Sequence, residues 1–285
     1  MEQPLWLDAE IAAMHGFVPI RFAHHKNIDK PKNHVLHINN YIEIYVYISG
    51  KHKYVVEDSI YDLSYGDIIV INPREVHRAL PLAEHPYERF YFLVDVHTFE
   101  QMQFDPLRAI LKKPRGMSNL ISLDSKTRHE VVNMLYEISR CFDGGRDDQS
   151  RALSFFLRIL DEINRKLRRD EPDVCYTPYT PELLKRILRY IADNTAEIQS
   201  TSEIAQAFNI TPQYLSSYFS KHIGTPPKTY VQAKKIALAK DMLDGGADVT
   251  STCYDCGFND CSYFIKVFKK YVGVTPLVYK ADSGK

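Results

Sequence analysis

Residues 250–280 read TSTCYDCGFNDCSYFIKVFKKYVGVTPLVYK, and the rest of the chain can be placed from them. Gly257 and Phe258 close a short segment of small side chains and lead into a run whose apolar members fall at Phe264, Val267, Phe268 and Tyr271. That i, i+3, i+4, i+7 spacing is the stripe of a helix with one buried face. The opposite face carries Ser262, Ile265, Lys266 and Lys269. A short helix, a tight glycine turn and a second helix with a basic outer face form a helix-turn-helix pattern.

The pattern occurs twice. Shifted back by 49 positions, the stripe lands on Leu215, Tyr218, Phe219 and His222, while Gly273, Pro276 and Tyr279 land on Gly224, Pro227 and Tyr230. The C-terminal third is an imperfect tandem repeat, with units expected at 202–223 and 250–272. Residues 183–194 read as a helix ahead of it, and Ser200-x-x-Glu203 as the capping box of a helix ending near Phe208. Thr211 and Pro212 supply an N-cap and a first-turn proline. The helix they start presents Gln213, Ser216, Ser217, Ser220 and Lys221 on its outer face. In the later unit Asp260 is the expected N-cap, with Asn259 and Cys261 beside it on the exposed side. Residues 226–243 form a connecting helix of about 25 Å at 1.5 Å per residue. Packing at its ends would set the two outer faces near one turn of DNA, about 34 Å, apart.

Charge supports this division. The chain is formally neutral, yet residues 1–181 hold 23 Lys+Arg against 26 Asp+Glu, and residues 182–285 hold 13 against 10. The positive balance sits with the repeat, the sign a nucleic-acid partner requires. The five cysteines show no framework spacing, which suits a reducing cytoplasm. Cys253, Cys256 and Cys261 lack a fourth ligand, and Cys253 and Cys256 fall opposite Ala205 and Phe208, so they read as core packing rather than zinc ligands. No run is apolar enough for a membrane span, and the acid-led N-terminus is no secretory signal.

Residues 1–17 read as an irregular or partly helical arm, and residues 18–100 as short strands punctuated by turns, an all-β sandwich or barrel. In the run 37–48 the even positions are mostly aliphatic (Ile38, Ile42, Ile44, Val46, Ile48) and the odd ones are His37, Asn39, Tyr41, Glu43, Tyr45 and Tyr47. Period-two alternation puts the odd set on one face, which looks either at water or into a cavity. Helices follow at 126–142 and 148–169. The second carries a seam of Leu153, Phe156, Leu157, Leu160, Ile163 and Leu167, fit to lie on the barrel or to pair with its copy in a second subunit. Three prolines in residues 170–181 mark a linker. The fold class is thus α+β with two domains, 18–169 and 182–285.

Two resemblances give these pieces roles. His37-x-Asn39-x3-Glu43-x6-Gly50 is similar to the first cupin motif, and Gly66, Pro73 and His77 resemble the second, with the histidine one place early. The likeness implies a cupin-like barrel and turns the odd face inward, making His37, Asn39, Tyr41, Glu43, Tyr45, Tyr47 and His77 the expected effector-binding set. His37, Glu43 and His77 would suit iron or manganese, but Asn39 replaces a motif histidine, so no metal and no cofactor is expected.

Ile204-Ala205, Tyr214-Leu215, Phe219, Gly224 and Pro227-x-x-Tyr230 resemble the first half of the AraC/XylS DNA-binding domain. Gly257-Phe258, Asp260, Ser262-Tyr263-Phe264, Phe268-Lys269-Lys270, Gly273 and Thr275-Pro276-x-x-Tyr279 resemble the second. The resemblance implies a bacterial transcription regulator, a homodimer binding promoter DNA under a small-molecule effector, with RNA polymerase as partner if it activates. Tyrosines and histidines make a sugar the expected effector. Ser217 and Lys266 stand where the family often has arginine, which implies less bidentate guanine reading and makes Gln213 the first candidate for a base contact. Rival readings are a metal-dependent cupin enzyme with an appended DNA-binding domain, and a ligand-independent regulator with a packed barrel.

Overall fold

The computed structural model describes residues 5–11, 20–28, 36–81, 86–98, 106–143, 148–168 and 180–283. Strands β1 (Leu5–Ile11), β2 (Ile20–Ile28), β3 (Ile42–Ser49), β4 (His52–Val56), β5 (Ser59–Asp62), β6 (Ile68–Ile71), β7 (His77–Pro81) and β8 (Tyr87–Val94) come first. Helix α1 (Arg108–Lys112), strand β9 (Leu120–Ile121), and helices α2 (Ser125–Cys141) and α3 (Gln149–Arg168) complete the N-terminal half. One sheet runs β1-β2-β8-β3-β6-β9 and a smaller one β5-β4-β7, antiparallel throughout. The expected barrel is realised as two facing sheets.

Alternation in β3 sorts its side chains as expected, and both faces are buried. Ile42, Ile44, Val46 and Ile48 share a core with Phe90, Phe92 and the apolar sides of α2 and α3. Tyr45 and Tyr47 share another with Tyr54, Val56, Tyr61, Ile69 and Ile71 between the sheets. The α3 seam belongs to the first core: Phe156, Leu160 and Ile163 are fully buried, and Phe156 packs tilted against Phe92 with ring centroids 4.8 Å apart. These three are therefore spent within the chain and are not free to pair with a second subunit. Leu153, Leu157 and Leu167 are half-buried at the edge of the same core.

The N-terminal arm also differs from expectation. Residues 5–11 form β1, which pairs with β2 along its whole length, from Leu5 opposite Lys26 to Ile11 opposite Ile20. Leu7, Ala9 and Ile11 pack inward while Asp8 and Glu10 are exposed. Residues 12–17 of the arm, and all of the linker except Thr180 and Pro181, lie outside the described residues.

From there the chain is helical: α4 (Glu182–Asp193), α5 (Thr201–Ala207), α6 (Pro212–Ile223), α7 (Pro227–Asp244), α8 (Val249–Asp255), α9 (Cys261–Val272) and α10 (Pro276–Ser283). The expected caps are formed. Ser200 Oγ accepts from Glu203 N, and the Glu203 carboxylate accepts in return from Ser200 Oγ at 3.1 Å and from Gln199 N at 3.1 Å, in place of the cap's backbone N–H. Thr211 accepts from Tyr214 N, and Asp260 from Ser262 N and Tyr263 N. The two units turn alike. Asn209 (φ 53) and Gly257 (φ 78) take the left-handed position, and Ile210 N and Phe258 N then return to Ala205 O and Cys253 O, both at 3.0 Å. Cys253 and Cys256 are buried, as the repeat implied.

The two halves are packed together. Leu36, Ile38, Val55, Ile60 and Val76 of the β domain lie in one apolar cluster with residues of α4 to α10. Lys234 of α7 pairs with Glu57, both buried, and Tyr230 OH donates to Glu57 O at 3.0 Å. Arg74 bridges Asp241 and Asp244 near the C-terminal end of α7, and Arg78 donates to Gly224 O at 2.7 Å.

Candidate effector pocket and nucleic-acid interface

The mouth between the sheets is a cavity of about 330 Å³ lined by His37, Asn39, Tyr41, Glu43, Tyr54, Ala79, Arg89, Tyr91 and Leu93. Strand register explains this set. Glu43, Tyr45 and Tyr47 on β3 face Leu93, Tyr91 and Arg89 on β8, all on the side away from the helices. Residues 37–41 precede β3 as an irregular segment held to β7 by reciprocal His37–His77 backbone bonds at 3.1 Å.

Glu43 is the electrostatic centre. Its carboxylate accepts from Tyr54 OH at 3.0 Å, His77 Nε2 at 3.1 Å and Asn39 Nδ2 at 3.3 Å. Burial alone would raise its pKa, but His77, His37 and the Tyr54 hydroxyl outweigh that and hold it down at about 2. Burial opposes the His77 imidazolium, yet the Glu43 charge and its hydrogen bond raise the pKa above the ordinary histidine value. His77 Nδ1 is tied to Glu75 O at 2.7 Å.

Of the expected effector set, His37, Asn39, Tyr41 and Glu43 line the cavity together. His77 is wholly buried behind Glu43, and Tyr45 and Tyr47 lie in the core between the sheets, Tyr47 with its hydroxyl donated to Gly50 O. These three support the wall rather than face the opening. Arg89, Tyr91, Leu93, Tyr54 and Ala79 were not foreseen. A signal for the first three existed: in RFYFLV, residues 89–94, period two puts Arg89, Tyr91 and Leu93 on one face opposite Phe90, Phe92 and Val94.

The second surface is carried by α6 and α9. Thr211, Gln213, Ser216, Ser217 and Lys221 are exposed and Ser220 is half-buried; on the later unit Asn259, Ser262, Ile265, Lys266 and Lys269 are exposed and Cys261 is half-buried. Leu215 and Phe219, like Phe264, Val267 and Phe268, are buried beneath them. Asn259 Nδ2 is bonded to Gln199 Oε1 at 2.9 Å, which gives it a structural partner. Exposed tyrosines were missed: Tyr214 is 49% exposed and stacked on Tyr218 at 5.5 Å, and Tyr263 is 44% exposed. Among the described residues no helix is long and apolar enough to cross a membrane.

Pocket and helices meet at Asn39. While its side chain binds Glu43, its carbonyl accepts from Arg74 N at 3.0 Å and from Lys240 Nζ of α7 at 3.5 Å. A two-sheet domain with a polar cavity, docked on a pair of helix-turn-helix units, is the build of a two-domain transcription regulator. Comparison with known proteins agrees. Residues 24–139 match a family profile described as AraC-like ligand binding domain, and residues 204–282 one described as helix-turn-helix domain. The HTH-type transcriptional regulator YpdC of Escherichia coli (strain K12) is 34% identical over 238 residues, 83% of this chain and 80% of its own. The HTH-type transcriptional activator RhaS of Mannheimia succiniciproducens is 22% identical over 246 residues, covering 84% and 87%. Among solved structures, ToxT from Vibrio cholerae O395 aligns over 92% of this chain and 97% of its own, at 14% identity and a TM-score of 0.37. The chain belongs to the AraC family of transcriptional regulators, with a ligand-binding domain followed by a DNA-binding domain.

Proposed function

We propose that the chain binds promoter DNA through the outer faces of α6 and α9, as a homodimer, and that a small polar molecule in the cavity sets how those faces are held. Gln213 reads a base edge, Ser216, Ser217 and Ser220 make short-range contacts, and Lys221, Lys266 and Lys269 hold phosphates. If the outcome is activation, RNA polymerase is the further partner. With the buried part of the α3 seam spent on the chain's own core, only Leu153, Leu157 and Leu167 remain there for a dimer contact.

The observation that carries the reading is the double engagement of Asn39, whose side chain forms the cavity wall and whose carbonyl holds α7. A ligand drawing the amide away from Glu43 acts on the residue that binds the helix between the two readers. The test is DNA affinity of the full-length protein for its own upstream region, with and without a panel of sugars and sugar acids. An affinity that shifts with one compound and stops shifting in Asn39→Ala supports the reading. DNA binding indifferent to every compound would favour a ligand-independent regulator.

One observation favours a second reading. The ligand atoms of His37, Glu43 and His77 lie within 4.8 Å of one another, and the Glu75 carbonyl on His77 Nδ1 leaves Nε2 for coordination. Asn39, which donates to Glu43, stands against it. Iron or manganese held tightly at one per chain in elemental analysis of purified protein would support a metal-dependent cupin.

A further inference from the structure

Arg89 is the one lining residue of the cavity whose charge the described residues leave unanswered. Among the described residues no carboxylate lies within ion-pairing distance of its guanidinium, and Glu43, already bound by His77, Tyr54 and Asn39, acts on it only at longer range. Among the described residues its buried Nε meets no acceptor, and its side-chain hydrogen bond is a long one, 3.5 Å from Nη2 to His25 Nδ1. Around it stand the rings of Tyr91, Tyr87 and Tyr45, with centroids 5.3, 5.4 and 5.7 Å from the guanidinium carbon. Ring faces attract a cation without supplying hydrogen-bond acceptors. A buried guanidinium keeps a strong preference for a planar anion that can take two parallel N–H bonds. A second cation lies on the same wall, since Arg21, in register beside Leu93, sits over the Tyr41 ring at 5.3 Å.

We infer that the effector is an anion carried on a small hydroxylated skeleton, with its acid group on Arg89 and its hydroxyls toward Asn39, Glu43 and Tyr91. The inference rests on the cavity being the effector site. A cavity of about 330 Å³ is at the small end of ligand sites, the scale of one sugar acid rather than an oligosaccharide. The anion is a carboxylate or a phosphate, and one guanidinium suits the monovalent carboxylate better.

Thermal shift and calorimetry on the full-length protein decide it, with glucose and galactose as neutral probes, glucuronate, galacturonate and gluconate as acids, and glucose 6-phosphate as the phosphate. At least one acid is expected to raise Tm and bind, the neutral sugars to do neither, and Arg89→Gln to lose at least about thirtyfold in affinity, the lower end for truncating a buried charged hydrogen-bond partner. Without ligand, Arg89→Gln should change Tm little, because the cation it removes is held by ring faces and not by a carboxylate. Binding of the phosphate alone, lost in Arg89→Gln, supports the anion and names phosphate as its source. Neutral sugars binding as well as acids, with Arg89→Gln without effect, overturn the anion while leaving the effector pocket standing. Binding by no probe overturns the inference. So does a lower ligand-free Tm in Arg89→Gln with affinity intact, which would make Arg89 structural.

Discussion

A methyl group on Gly257 would lie 1.8 Å from Ala196 O, and the residue already sits at φ 78. Neither a side chain nor a shifted rotamer relieves a clash with backbone, so Gly257→Ala should cost several kcal/mol, on the order of 3. Gly273 supplies the control. It has φ 90 with open space around its added carbon, so Gly273→Ala should cost only the left-handed strain, about 1 kcal/mol. Differential scanning calorimetry of the two variants checks the ranking; equal losses would mean the Ala196 contact gives way. On the exposed side, Lys266→Ala should weaken DNA binding and lower the slope of log affinity against log salt by about one unit. Gln213→Ala should instead narrow the difference between promoter variants, and uniform weakening across them would count against base reading.

Two elements carry tests of their own. In α3, Phe156 is buried against Phe92, so Phe156→Ala should cost about 3–5 kcal/mol in calorimetry. If the half-exposed edge of the helix pairs copies, Leu157→Asp should lower the mass in solution scattering with a smaller loss of Tm. In α7, burial and then Arg74 bring Lys240 down from 10.5 to about 8, against the pull of Asp244 and Asp241. The folded protein therefore sheds this proton before the unfolded chain does. Between about pH 8 and 10.5 the unfolded state binds more protons, and Lys240 makes stability rise with pH. At neutral pH the charge costs at most on the order of 3 kcal/mol. Lys240→Met should raise Tm near pH 7 and flatten its rise above pH 8; an unchanged slope would show the amine solvated. Helix positions, caps and the repeat were legible because their signals are local: Thr211, Asp260 and the 3.6-residue stripes need no knowledge of distant chain. The seam of α3 was ambiguous because an apolar stripe fits a sheet and a second helix equally well. Strand β1 escaped because three inward residues, Leu7, Ala9 and Ile11, are too short an alternation to stand out.

At the scale of the whole molecule, the sequence showed two domains but not their docking, since Glu57 and Lys234 are 177 residues apart and each reads as an ordinary surface charge. The setting of Arg89 was hidden in part for a like reason, since one of its three tyrosines, Tyr45, comes from another strand. Removing one member of the buried Glu57–Lys234 pair should cost about 3–5 kcal/mol, whereas Glu57→Gln with Lys234→Met should recover much of it. A double-mutant cycle in urea would reveal the coupling, and simple additivity would show that the pair is solvated. The contacts of α7 are also unevenly shared. The first unit touches the β domain through Gly224, while no hydrogen bond or ion pair joins the described residues of α8 or α9 to it. The second unit thus joins the β domain through α7, a beam about 27 Å long that Glu57 holds near its start and Arg74 and Asn39 hold near its end. A tilt of about 5° about the Glu57 contacts carries the Asp244 end through about 2 Å, enough to break the Arg74 and Asn39 bonds there, whose tolerance is a few tenths of an ångström. On the proposed reading, a ligand that moves Asn39 acts at the end of that lever nearest the second unit, where a small displacement shifts the second reader against the first.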